Sequence, residues 1–224
     1  MKTWMNCIQL LGKEQKLLLN KKAIYAILII LPLFISCGDK NTGDAEPSQK
    51  SDYENPQFVT QEAKKTLGND VKFAYKGRYN KDSVIEIAAG TEVQNPKEWG
   101  IKFLLLKLEG NNLVPIYQTP LLNGSFNKCL VQKIKFPMFD YELIYYNSQG
   151  YFLGSGGGEV YSYLINFNEG KAYYAHLVDE PGKPASLFLS ENIDLNEVKS
   201  FFISNFKRDY PLVKVIPKDI VLKY

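Results

Sequence analysis

The chain has 224 residues, of which 27 are basic and 24 acidic, for a formal charge of +3. Five of the basic residues and one acid fall in residues 1–36, leaving 22 basic against 23 acidic residues and a charge of −1. Nothing in that balance argues for the clustered basic surface that a nucleic-acid partner requires, and residues 58–224 have the length of one ordinary domain able to bury a core without staples.

Lys21-Lys22 open an uncharged run from Ala23 to Ser36, 14 residues long. A bilayer-spanning helix needs about 20 apolar residues, so the run has the length of a signal-peptide core. It stops at Cys37, and polar residues come at once after it. Phe34-Ile35-Ser36-Cys37 resembles a lipobox, the motif cut by the lipoprotein signal peptidase. Phe34 stands where Leu is usual, a departure tolerated in lipoproteins of the Bacteroidota, to which this segment is similar. The resemblance implies cleavage before Cys37, a diacylglycerol on its thiol and an acylated new amine. Two or three chains anchor a protein stably where one does not. Gly38 after the cysteine implies the outer membrane, with the periplasmic and surface faces both open. Residues 1–36 then form the signal segment.

The tether is assigned to residues 37–57. Residues 38–57 are almost devoid of apolar side chains and cannot offset their ordering entropy by burial. As a random coil they hold the folded part roughly 25 Å from the lipid. With Cys37 lipidated, Cys129 is the one cysteine left for the folded part, so no internal disulfide is available. Its alternating surroundings mark it as a buried small hydrophobe.

A single domain is expected over residues 58–224. Phe58 to Leu67 reads as a helix capped by Thr60 and stopped at Gly68-Asn69. The period then becomes 2. Strands are predicted over 71–76, 83–88 and 101–108, with a hairpin turn at Glu109-Gly110-Asn111-Asn112 and a return over 113–117. Pro115 places that return at a sheet edge. Further strands fall over 130–136, 141–146, 160–167 and 172–178, with a short one over 185–189. Asp194-Leu195-Asn196-Glu197 resembles a capping box. Behind it, Leu195, Val198, Phe201, Phe202 and Phe206 form an apolar stripe at helical spacing that ends by Pro211. The fold class is therefore mostly β or α+β: an antiparallel meander with a short N-terminal helix and a C-terminal amphipathic helix on one sheet face. Asn80 to Gly90 is similar to degenerate blades of integrin-type (FG-GAP) propellers. Only Asn80 and Asp82 match the family's calcium loop, so the resemblance implies a hairpin rather than a metal site.

Leu153-Gly154-Ser155-Gly156-Gly157-Gly158-Glu159 is the most unusual stretch. It fails the dinucleotide pattern, because Glu159 takes the sixth position and strand-like residues come after it. It fails the nucleophile elbow, because Leu153 stands two before Ser155. It reads as a tight strand connection, or as a backbone-lined pocket with Glu159 at its edge. Eight tyrosines lie between 141 and 174, a composition that suits binding surfaces as well as strands. His176, the one histidine, shares a strand face with Tyr174 and Val178.

No motif requires a cofactor. The sequence points to a lipid-anchored accessory protein of the cell envelope, non-enzymatic, binding a glycan, a peptide or a partner protein. The candidate contacts are Tyr151, Gly154, Ser155, Gly156, Gly157, Gly158, Glu159, Tyr161 and Tyr163. The alternatives are a structural subunit of an outer-membrane complex and a hydrolase built on Glu159 or His176.

Overall fold

A computed structural model describes residues 52–81, 86–148, 151–153, 156–191, 193–218 and 222–223. The signal segment, Cys37, residues 82–85, Gly154 and Ser155 lie outside them.

Helix α1 (Pro56–Leu67) starts two residues before its predicted start. Asn55, in extended backbone, accepts the N–H groups of Gln57 at 2.9 Å and Phe58 at 3.5 Å, and Pro56 takes the first helical position. Proline gives up no bond there, because the first N–H groups have no partner inside the helix. Thr60, the expected cap, lies within the helix and donates to the Pro56 carbonyl at 2.9 Å. Gly68 ends the helix at φ 92°, as expected. Tyr53, which composition assigns to the tether, is 6% exposed and meets Phe58 edge-on at 5.2 Å. Tyr53, the Glu54–Lys76 ion pair and the Asn55 cap tie this end of the polar segment to the fold.

Strands β1 (Val71–Gly77), β2 (Glu86–Gln94), β3 (Trp99–Glu109) and β4 (Asn112–Gln118) form an antiparallel sheet in that order. The unbroken apolar run of β3 has a simple cause. Phe103 and Leu105 face one core and Leu106 faces another, so both sides of the strand are covered. Gly110, at φ 59°, turns the β3–β4 hairpin where Glu109 pairs with Asn112. β4 is an edge strand carrying Pro115. A bulge lets Leu105 pair with Tyr117 and Leu106 with Pro115, leaving Ile116 as the extra residue.

The larger sheet holds β5 (Cys129–Ile134), β6 (Leu143–Ser148), β7 (Tyr151–Leu153), β8 (Gly157–Asn166), β9 (Lys171–Asp179), β10 (Ser186–Ser190), β11 (Lys214–Lys218) and β12 (Leu222–Lys223). Its order is β11-β10-β9-β8-β6-β5, with β7 paired to β8 and β12 to β9. The β10–β11 pair is parallel, and the connection between its strands contains α2 (Asn196–Asp209). A parallel pair needs such a crossover. The α2 start corrects the capping-box expectation. Leu195 is the cap residue, and among the described residues no side chain caps the free N–H groups there. The stripe itself holds: Val198, Phe202 and Phe206 are buried, with Leu195 and Phe201 partly so.

The domain is mostly β, with one helix on each outer face. α1 packs through Val59 and Ala63 against Val71, Ile87, Ala89 and Leu106. The two sheets share a core in which Phe73, Phe103 and Leu105 meet Ile144, Tyr146, Tyr163 and Tyr174. α2 covers Leu164, Tyr173, Leu177 and Leu187 on the far side of the larger sheet. The order of layers is helix, sheet, sheet, helix. Tyr145 and Tyr146 therefore enter different cores, as their adjacency in a strand requires. Among the described residues no helix is long and apolar enough to cross a membrane.

Candidate functional site

The site lies on the β8 and β9 side of the glycine run. The β8–β9 hairpin turns through Asn168-Glu169-Gly170, with Gly170 at φ 59° and Asn166 opposite Lys171. Pairing outward from that turn puts Tyr161 opposite His176 and Glu159 opposite Val178. β10 continues the rows, with Phe188 opposite His176 and Ser186 opposite Val178. β11 completes them, with Ile216 beside Phe188 and Lys214 beside Ser186. Two rows thus cross four strands: Glu159, Val178, Ser186 and Lys214, then Tyr161, His176, Phe188 and Ile216. In the third row, Tyr163 and Tyr174 sink between the sheets. The first two rows are half-buried or exposed.

Glu159 is the centre of the polar contacts. The Tyr161 hydroxyl donates to its Oε2 at 2.6 Å, and His176 Nε2 lies 3.2 Å from the same oxygen. Carboxylates accept only, so Nε2 carries the proton and Nδ1 is the bare nitrogen. The two rings stack at a centroid distance of 4.6 Å and an interplanar angle of 8°. Phe188 lies 6.0 Å beyond His176, and Lys218 Nζ sits 5.5 Å from the Phe188 centroid. Ser148 Oγ accepts the Tyr161 N–H at 2.8 Å and fixes this part of β8.

The electrostatics agree with that geometry. The Tyr161 hydrogen bond holds the Glu159 carboxyl below its ordinary range, with help from His176 and against partial burial. Burial pushes the His176 pKa down, Glu159 partly restores it, and the Lys218 charge opposes protonation. The pair is therefore a neutral imidazole donating to an anionic carboxylate. Neither ring nitrogen is placed to take a proton from a substrate. Nε2 is committed to Glu159, and Nδ1 is buried with no hydrogen-bond partner among the described residues. The arrangement is built to hold a charge in place.

Of the residues singled out in the sequence, Glu159 and Tyr161 come together here. Tyr163 does not join them: it is 2% exposed, lies 5.9 Å from Tyr146 and 5.4 Å from Tyr174, and has its hydroxyl pKa driven far up by burial. Gly156 comes just before β8, and Gly157 and Gly158 open that strand, paired with Leu153 and Phe152. Gly156 has φ 94°, and a Cβ on Gly157 would lie 2.5 Å from the Asp179 carbonyl oxygen. The backbone of Tyr151 pairs with Glu159. Gly154, Ser155 and Cys37 lie outside the described residues. Sequence reasoning named His176 without linking it to Glu159, and it missed Phe188, Lys214 and Lys218. The Asn168-Glu169-Gly170 turn was the available signal, since it sets the register that joins Tyr161 to His176.

Cys129 is half-buried, and its Sγ lies 3.5 Å from the Phe126 carbonyl. Burial raises its pKa, which fits an inert thiol. Among the described residues no group of three or more His, Cys, Asp or Glu could hold a metal ion. A cleft of about 330 Å³ opens elsewhere, beside Tyr53, Tyr75, Lys76 and Lys133. Its two lysines already meet carboxylates, Lys76 at Glu54 and Lys133 at Glu142. No protein-family profile, curated protein or solved structure matches this chain.

Proposed function

We propose that the protein is a lipid-anchored accessory component of the bacterial cell envelope that binds a glycan, peptide or partner protein on the rows around Glu159. The lipobox-like Phe34-Ile35-Ser36-Cys37 and the polar tether support the location. The observation that carries the binding reading is the Glu159 carboxylate, oriented by Tyr161 and His176 on a part of the sheet that is neither deeply buried nor fully solvated. A preoriented charge beside aromatic rings is how binding sites select polar ligands.

Two experiments test this reading. Cys37→Ser should move the protein from the membrane fraction to the soluble fraction, and an unchanged distribution would refute the anchor. A thermal-shift screen of the full chain against saccharides and peptides tests the binding. A ligand at 100 times its dissociation constant stabilises by about 2.7 kcal/mol, roughly 5–10 °C for a chain this size. Glu159→Gln should abolish that shift, and a shift that survives the substitution would place the ligand elsewhere.

One observation favours the reading as a subunit of an outer-membrane complex. The edge strand β4 leaves Val114 and Tyr117 exposed, at 36% and 44%. Co-purification of a fixed partner, lost on Tyr117→Lys, would support that role.

A further inference from the structure

The first row is charged oppositely at its ends, Glu159 and Lys214, and Lys218 lies two residues beyond the end of the second row, beside Ser190. Glu159 stands on β8, and Lys214 and Lys218 stand on β11, with β9 and β10 between them. Lys214, Ile216 and Lys218 alternate onto the face that carries Phe188, as the Lys218–Phe188 contact shows, while Val215 turns to the α2 core. Between the charges run the rings of Tyr161, His176 and Phe188.

We infer that this strip binds a short linear peptide with free termini, its amine at Glu159 and its carboxylate at a lysine of β11, Lys218 or Lys214. The inference rests on the reading of the strip as the binding site. Three observations select the occupant. First, the span is long: three interstrand steps of about 4.8 Å separate β8 from β11, roughly 14 Å. About four extended residues match that backbone span, whereas a single amino acid or a zwitterionic headgroup covers only a fraction of it. Second, the ring faces are turned on each other. Tyr161 and His176 lie 8° from parallel, so each gives one ring face to the other rather than to a stacked sugar ring. Third, Glu159 Oε2 is taken by both Tyr161 and His176, and Oε1 has no hydrogen bond among the described residues. One available oxygen suits a compact ammonium group. A guanidinium prefers both oxygens at once.

The full chain is titrated, by NMR, with tetra-alanine carrying free termini, its N-acetyl form, its C-terminal amide, dialanine and maltotetraose. Free tetra-alanine should bind, and blocking either terminus should weaken it at least tenfold. Dialanine should bind at least tenfold more weakly. In Glu159→Gln, acetylation should cost nothing further. In Lys218→Met, or in Lys214→Ala should the first variant fold poorly, amidation should cost less than in the native chain. Equal binding of free and blocked peptides overturns the inference, as does an undiminished acetylation penalty in Glu159→Gln. Binding of maltotetraose alone, lost in Glu159→Gln, overturns the peptide while leaving the strip as a site. Binding of no probe overturns the peptide inference, and the saccharide and peptide screen then decides the strip itself.

Discussion

Tyr161 and His176 lie face to face on neighbouring strands, 4.6 Å apart, and both reach the same oxygen of Glu159. Each ring limits the motion of the other, and together they fix a carboxylate that would otherwise swing freely on its strand. The binding reading depends on that arrangement more than on any single residue.

Tyr161→Phe separates the hydrogen bond from the stack. The ring stays and the donor goes. The Glu159 pKa, held down chiefly by that bond, should rise toward the ordinary carboxylate value, as read by NMR titration. Loss of one bond to a charged but partly solvated group should cost about 1 kcal/mol in urea unfolding. An unmoved Glu159 pKa would show that the contact does not form in solution.

Just below its ordinary pKa, His176 should make stability depend on pH. Its folded pKa lies below the ordinary value of 6.5, so the unfolded chain binds more protons in the window just under that value. Stability should therefore be complete above 6.5 and fall as pH drops toward the folded pKa. Glu159, whose pKa is also lowered, adds a second loss below its ordinary 4.5. Melting temperature measured between pH 7.5 and 5 should decline in the native chain and decline less in His176→Gln. Parallel curves would locate the titrating group elsewhere.

The two helix starts predict contrasting effects. Asn55→Ala removes a cap that accepts the N–H groups of Gln57 and Phe58 and should cost about 1 kcal/mol. Asp194→Ala should change stability by less than about 0.5 kcal/mol, because no side chain caps α2. Denaturant midpoints of the two variants settle the comparison, and a large loss in Asp194→Ala would restore the capping box.

Gly157→Ala would force a methyl to within 2.5 Å of the Asp179 carbonyl oxygen, a backbone atom that cannot turn aside. The expected cost is about 1–3 kcal/mol. Gly110→Ala meets no atom within 4 Å and should lose only the strain of its positive φ, about 1 kcal/mol. Calorimetric melts that rank the two in the opposite order would contradict this packing.

The unbroken apolar run of β3 and the strand-forming apolar and aromatic residues of β8 and β9 made those strands legible, and helical spacing did the same for α2. The Asn168-Glu169-Gly170 turn was equally plain. The α1 start was misplaced by two residues because Asn55-Pro56 lay in a stretch assigned to the tether on composition. Tyr163 was misassigned for another reason. It shares a strand face with Tyr161, and sequence cannot say where along that face the second sheet stops. That boundary leaves Tyr161 half-open and closes over Tyr163. The tyrosines were thus determined by sequence only as strand residues with a face.

By itself the sequence determined the mostly-β class, the two helices and most of the strands, because each rests on contacts within a few residues. Tertiary structure alone decided that Glu159, His176, Phe188 and Lys218 meet. They come from four strands separated by turns and by a helical crossover, and no local period links positions on β8 with positions on β11. Strand register and order brought them together, and both were set by which apolar faces the two sheets and two helices could jointly bury.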